Sequence, residues 1–122
     1  MTKQAAIQAF FESFSLTAYE ENAVPVDAPL PYITYQSAVD DFGDIVSITA
    51  SVWYRGTSWT ACNAKAREIG DYITLGGVIL PCDGGAIWVK KGVPFSQTMS
   101  DDNDKMIKRN YLNLELEFLT EN

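Results

Sequence analysis

From Ile45 to Arg55 the chain reads IVSITASVWYR, an alternating run rich in β-branched and aromatic residues that fits a half-buried strand. Past Gly56 the apolar spacing changes: Trp59, Cys62, Ala66, Ile69 and Ile73 recur at intervals of three and four. A period of two giving way to a period near 3.6 fixes a strand running directly into an amphipathic helix. Val46, Ile48, Ala50, Val52 and Tyr54 share one strand face, and Ile45, Ser47, Thr49, Ser51 and Trp53 share the other. Thr57 or Ser58 supplies a hydroxyl for the free N–H groups at the start of the helix, whose wetter side carries Lys65, Arg67, Glu68 and Asp71. One long strand and one helix therefore contribute most of a two-layer core.

The remaining elements follow from the same periods. Thr2 to Phe14 reads as a first helix, capped by Thr2, with Ile7, Phe10, Phe11 and Phe14 as its core stripe. Leu16 to Pro31 reads as irregular, since Pro25, Pro29 and Pro31 interrupt backbone hydrogen bonding. Tyr32 to Gln36 is a short strand, and Asp40, Asp41, Gly43 and Asp44 form a solvated turn into the long strand. After Gly76-Gly77, Val78–Cys82 and Ala86–Lys90 flank an Asp-Gly turn as a β-hairpin, with Pro81 marking an edge or bulged strand. Gly92 and Pro94 make a corner before a short strand at Phe95–Met99, and Ser100–Asp104 is an exposed polar loop. Met106 to Leu119 closes the fold as a strand with Leu112, Leu114, Leu116 and Phe118 inward and Tyr111, Asn113, Glu115 and Glu117 outward. The expected fold is α+β: a mainly antiparallel sheet of about four strands plus a β-hairpin, with two helices packed on one face, in a single domain over residues 1–122.

Chemistry is conspicuous mainly by what is missing. The sequence has no histidine, which removes Ser-His-Asp and Cys-His catalysis and the commonest zinc ligand together. It has no P-loop and no dinucleotide fingerprint, and the acidic turns lack the ligand spacing of a calcium loop. Glu115 and Glu117 share a strand face, but their alternation with Leu reads as a solvated sheet face or a subunit contact rather than paired catalytic carboxylates. Cys62 and Cys82 sit in no metal or redox spacing, and Cys62 falls on the buried helix stripe. A formal net charge of −7 argues against nucleic acid or an anionic membrane as a direct ligand, and no apolar run approaches membrane-spanning length. No signal segment is apparent, so folding in a reducing cytoplasm is expected. On these grounds no enzyme, cofactor or metal is expected.

Four stretches, in order along most of the chain, carry a resemblance: Leu30–Gln36 (LPYITYQ), Ser51–Thr60 (SVWYRGTSWT), Gly76–Phe95 (GGVILPCDGGAIWVKKGVPF) and Lys105–Thr120 (KMIKRNYLNLELEFLT). Together the chain resembles the tail-terminator proteins of long-tailed phages and prophages, also called tail-completion, minor capsid or head-tail joining proteins. The resemblance implies a virion structural subunit, assembled in the host cytoplasm, that forms a ring, typically a hexamer, on the head-proximal end of the tail. Such a ring ends polymerisation of the tail tube protein and docks to the head-tail connector protein, while DNA passes through without specific binding. A ring needs two different complementary patches per subunit. The candidates are the edge strands around Pro81 and Phe95 and the aromatic anchors, so the expected interface residues are Tyr32, Tyr35, Trp53, Arg55, Trp88 and Phe95. Trp59 is expected in the core. The competing class is a monomeric small-molecule or peptide-binding α+β domain, with Trp and Tyr lining a pocket.

Overall fold

A computed structural model describes residues 1–40 and 42–121. Helix α1 (Lys3–Glu12) precedes β1 (Thr17–Glu20), β2 (Tyr32–Tyr35) and β3 (Ile45–Arg55); α2 (Thr60–Ile73) then precedes β4 (Val78–Cys82), β5 (Gly85–Ser100) and β6 (Ile107–Thr120). All strands lie in one six-stranded sheet with the order β1-β2-β3-β6-β5-β4. The pairing of β1 with β2 is parallel and every other pairing is antiparallel, so the sheet is mixed. The α+β class stands. The expectation of about four strands with a separate hairpin does not, because β4 and β5 continue the same sheet.

Two local departures explain the difference. Thr17–Glu20, within the stretch expected to be irregular, pairs with Tyr32–Tyr35 and forms an edge strand. The prolines that seemed to exclude a strand all lie beyond it, in the connection to β2. The corner expected at Gly92 and Pro94 is instead a bulge inside one long strand: the register with β6 shifts between Lys91↔Leu114 and Ser96↔Leu112, then resumes. Pro94 has no N–H for the ladder, so the strand bows out there rather than ending, and Asn113 Nδ2 donates to the Pro94 carbonyl at 2.9 Å to tie the bulge down. At the start of α2, Ser58 is the hydroxyl that engages, accepting from the Thr60 N–H at 3.1 Å, while the cap position is Trp59.

The periodic elements form as their spacing requires. Thr2 Oγ1 accepts from the Ala5 N–H at 3.0 Å and caps α1, which buries Ile7, Phe10 and Phe11. β3 and β6 pair over their full overlap, from Ile45↔Glu117 to Arg55↔Ile107. The inward residues Ile48, Ala50, Val52, Leu112, Leu114, Leu116 and Phe118 are all buried, and both helices lie over them on one side of the sheet. Where the helices meet, Tyr72 of α2 packs edge-on against Phe14 and tilted against Phe10. Lys65 Nζ donates to the Phe14 carbonyl at 2.7 Å, tying α2 to the turn after α1.

Cys62 is fully buried within this layer, with its thiol directed at the Val52 carbonyl, 3.4 Å away, and accepting from Asn110 Nδ2 at 3.2 Å. Burial pushes the Cys62 thiol above its ordinary pKa, more than the Asn110 hydrogen bonds pull it down. Cys82, half-buried on the edge strand β4, is also raised by burial but remains reachable. In the folded protein at pH 8, a thiol reagent is expected to modify Cys82 and leave Cys62 untouched until denaturant is added, read by intact mass. Two modified thiols in the native state would contradict the packing of α2.

Candidate assembly interface

The helices cover one face of the sheet. The other face carries no helix, and its residues are those that alternate with the core. Along its β1 side Tyr19, Tyr32 and Trp53 form a run: Tyr19 and Tyr32 meet edge-on with centroids 5.6 Å apart, and Tyr32 and Trp53 lie 6.5 Å apart. The run continues through Arg109, cross-strand from Trp53, whose guanidinium lies 4.5 Å over the Trp53 ring and 5.1 Å over Tyr111. Polar bonds fix this geometry from beneath: Trp53 Nε1 donates to Thr34 Oγ1 at 2.9 Å, and Arg109 Nε donates to Ser51 Oγ at 3.0 Å. Each ring and the guanidinium are half-exposed.

At the far side of the same face Trp88 lies under Lys90, whose ammonium is 4.2 Å from the ring centroid and pairs with Glu117 at 3.0 Å. Trp88 Nε1 donates to the Gly76 carbonyl at 2.9 Å, so this ring is committed to the turn after α2.

The six residues expected from sequence thus separate. Tyr32, Trp53 and Trp88 share the helix-free face. Tyr35 lies on the opposite side and is buried: its ring stacks on Phe11 at 4.7 Å and its hydroxyl donates to Gln8 Oε1, so it is a core residue and presents nothing to a partner. Burial, with Glu20 and Glu12 nearby, raises its phenol above the ordinary value. Phe95 also sits on the helix side, pressed so closely on Gly70 of α2 that a Cβ there would fall 2.9 Å from its ring. Trp59, expected in the core, is half-buried at its margin.

Arg55, exposed at the end of β3, pairs within the chain: its Nη1 lies 2.5 Å from Asp104 Oδ2. The Arg55 hydrogen bond, with one from the Met106 N–H, holds the Asp104 carboxyl below its ordinary value of 3.8. A carboxyl depressed by folding adds stability above its unfolded pKa, and that stability is lost as pH falls through the lower folded value. The melting-temperature gap between wild type and Arg55→Ala is therefore expected to be small at pH 7 and to close below pH ~4, shrinking also with added salt. A gap that widened in acid would contradict the pairing.

Comparison with family models, curated proteins and solved structures finds no match to this chain. Sequence reasoning missed Tyr19, because its strand was not expected, and Arg109, because only the β3–β6 register places it against Trp53. Tyr111 was legible as an outward residue of the closing strand.

Two concavities adjoin these residues. A small one of about 120 Å³ lies beside Trp53 and Arg109, with Met99 and Ile107 in its wall. A larger open groove of about 730 Å³ runs between α2 and β5, past Ala66, Gly70, Phe95 and Asn110. Beyond Val89, β5 has β6 on one side and no strand on the other, so the edge along this groove is unpaired among the described residues. Those residues hold no cluster of three or more His, Cys, Asp or Glu placed for a metal, and no helix among them is long and apolar enough to cross a membrane. The arrangement can hold a protein surface: an aromatic and arginine strip, plus a strand edge, on an uncovered sheet.

Proposed function

We propose that this chain is a structural subunit of a phage tail, a tail-terminator protein that assembles as a homo-oligomeric ring. The ring caps the tail tube, ends its growth and joins it to the head connector. The observation that carries this reading is the uncovered sheet face with its half-exposed Tyr19–Tyr32–Trp53–Arg109–Tyr111 strip. Trp, Tyr and Arg are the residue types that dominate protein–protein contacts, and here Trp53 and Arg109 are ordered in advance by Thr34 and Ser51. The unpaired half of β5 adds a second, different patch, as a cyclic assembly requires. The likeness of four stretches to tail-terminator proteins supplies the identity of the assembly, and the hexamer is taken from it. The net charge of −7 suits a ring through which DNA slides without binding.

The test is the native mass of the purified chain over a wide concentration range, with negative-stain images of the same samples. Closed rings of one size are the expected result. If the chain stays monomeric, capture on the ends of purified tail tubes decides the matter, since a tube end could template closure. A chain that forms no ring and binds no tube would instead favour a monomeric peptide-binding or small-molecule-binding domain. The 730 Å³ groove lies within the size range of ligand sites, and binding there would raise the melting temperature with ligand concentration.

A further inference from the structure

Arg109 forms no ion pair among the described residues. Its Nε is used by Ser51 and its plane is gripped by Trp53 and Tyr111, yet neither η nitrogen makes a hydrogen bond or ion pair among the described residues. In a chain with nine basic and sixteen acidic residues, an arginine held rigid and left unpaired is an unusual arrangement. It stands at the rim of the 120 Å³ cavity, whose walls include Trp53, Met99 and Ile107. Asp101 also lines that cavity, but its Oδ1 accepts from the Asn103 and Asp104 N–H groups at 2.8 and 3.1 Å. The cavity is below the roughly 300–1,000 Å³ of a small-molecule site, and suits a branched aliphatic side chain.

The same chain carries a matching projection. Between β1 and β2 the Ala28 N–H bonds to the Pro25 carbonyl at 3.1 Å, closing a turn with Val26 and Asp27 at its apex. Val26 is 107% exposed, as open as a side chain can be, and Asp27 is exposed with no partner among the described residues. Leu75 and Val93 are about as exposed but have no carboxylate beside them in sequence. No residue of the Pro25–Ala28 turn lines the cavity of its own chain.

We infer that the Val26–Asp27 apex of one copy docks into the Trp53–Arg109 cavity of the next, Val26 entering between Met99 and Ile107 and the Asp27 carboxylate meeting the free η nitrogens of Arg109. This rests on the assembly reading above and names the contact that would build it. Knob and socket are different surfaces of one chain, so the contact is head-to-tail and propagates around a ring. A planar carboxylate against a pre-ordered guanidinium is the pairing for which arginine is suited.

Sedimentation of the full chain and two variants tests it. Asp27→Lys spoils the knob at an exposed position with no hydrogen bond or ion pair among the described residues, so the fold is expected to be kept; Arg109→Gln spoils the socket. Each variant is expected to weaken self-association by roughly thirtyfold or more relative to wild type. Mixed one to one, they should form a heterodimer that grows no further, since one sound knob meets one sound socket. If wild type assembles and Asp27→Lys assembles equally well, the contact is overturned and the ring reading survives. If both variants dissociate but their mixture stays monomeric, the head-to-tail pairing of these two residues is overturned. A wild type that never self-associates removes the contact, and tube-end capture then judges the ring reading separately.

Discussion

Replacing Phe11 by alanine is expected to cost about 3–5 kcal/mol of folding stability, a large share of the roughly 5–15 kcal/mol that holds a domain folded. Phe11 is 1% exposed and touches the core on two sides, stacking on Tyr35 at 4.7 Å with 13° between planes and meeting Phe10 edge-on at 5.0 Å. The truncation removes one of the largest fully buried side chains and leaves a cavity under α1 that the sheet cannot close, because Tyr35 is tethered through its hydroxyl to Gln8. Urea unfolding should show a lower midpoint with an unchanged slope. A loss under about 1 kcal/mol would mean that α1 does not pack on β2 as described.

The second large effect comes from a single methyl group. Gly85→Ala is expected to destabilise the protein by more than about 2 kcal/mol, from left-handed backbone strain and collision combined. Gly85 opens β5 with φ +150°, and a Cβ there would fall 2.1 Å from the Leu119 carbonyl oxygen and 3.1 Å from its carbon. Both are backbone atoms of the adjacent β6 ladder, where Gly85 pairs with Thr120, so neither can swing aside as a side chain would. Gly56→Ala is the control, because its Cβ would meet nothing within 4 Å and its φ is not left-handed. Thermal melts of the two variants should separate clearly; equal melts would contradict the close approach of β5 to β6.

How much of this was legible beforehand depends on how far each signal reaches along the chain. β3, β6 and the α2 stripe announce themselves because their periods repeat over many residues and each buried position reinforces the next. β1 does not: it is four residues long, Ala18 is its one buried side chain, and its partner begins a dozen residues later, across a segment full of proline. The single β5 strand was hidden by Gly92-Val93-Pro94, which punctuates like a turn; what carries the strand through is pairing with β6, a contact no local window contains. The interface divides in the same way. Tyr32 and Trp53 could be picked out as aromatic residues, but the choice between Tyr32 and Tyr35 depends on strand parity against a helix, and the role of Arg109 depends on register alone.

The place of β6 in the sheet has a consequence for how the protein is made. It lies between β3 and β5, and it is translated after every other strand. Until Ile107–Thr120 leave the ribosome, β1-β2-β3 and the β4-β5 hairpin are two fragments with bare edges and no ladder between them, bridged by the helices and by the Met1–Asp83 pair rather than by a strand. Neither fragment can close its apolar face, since Leu112, Leu114, Leu116 and Phe118 are the middle of the core. A nascent chain of this design must stay open until its last strand arrives, and then zip from the centre outward.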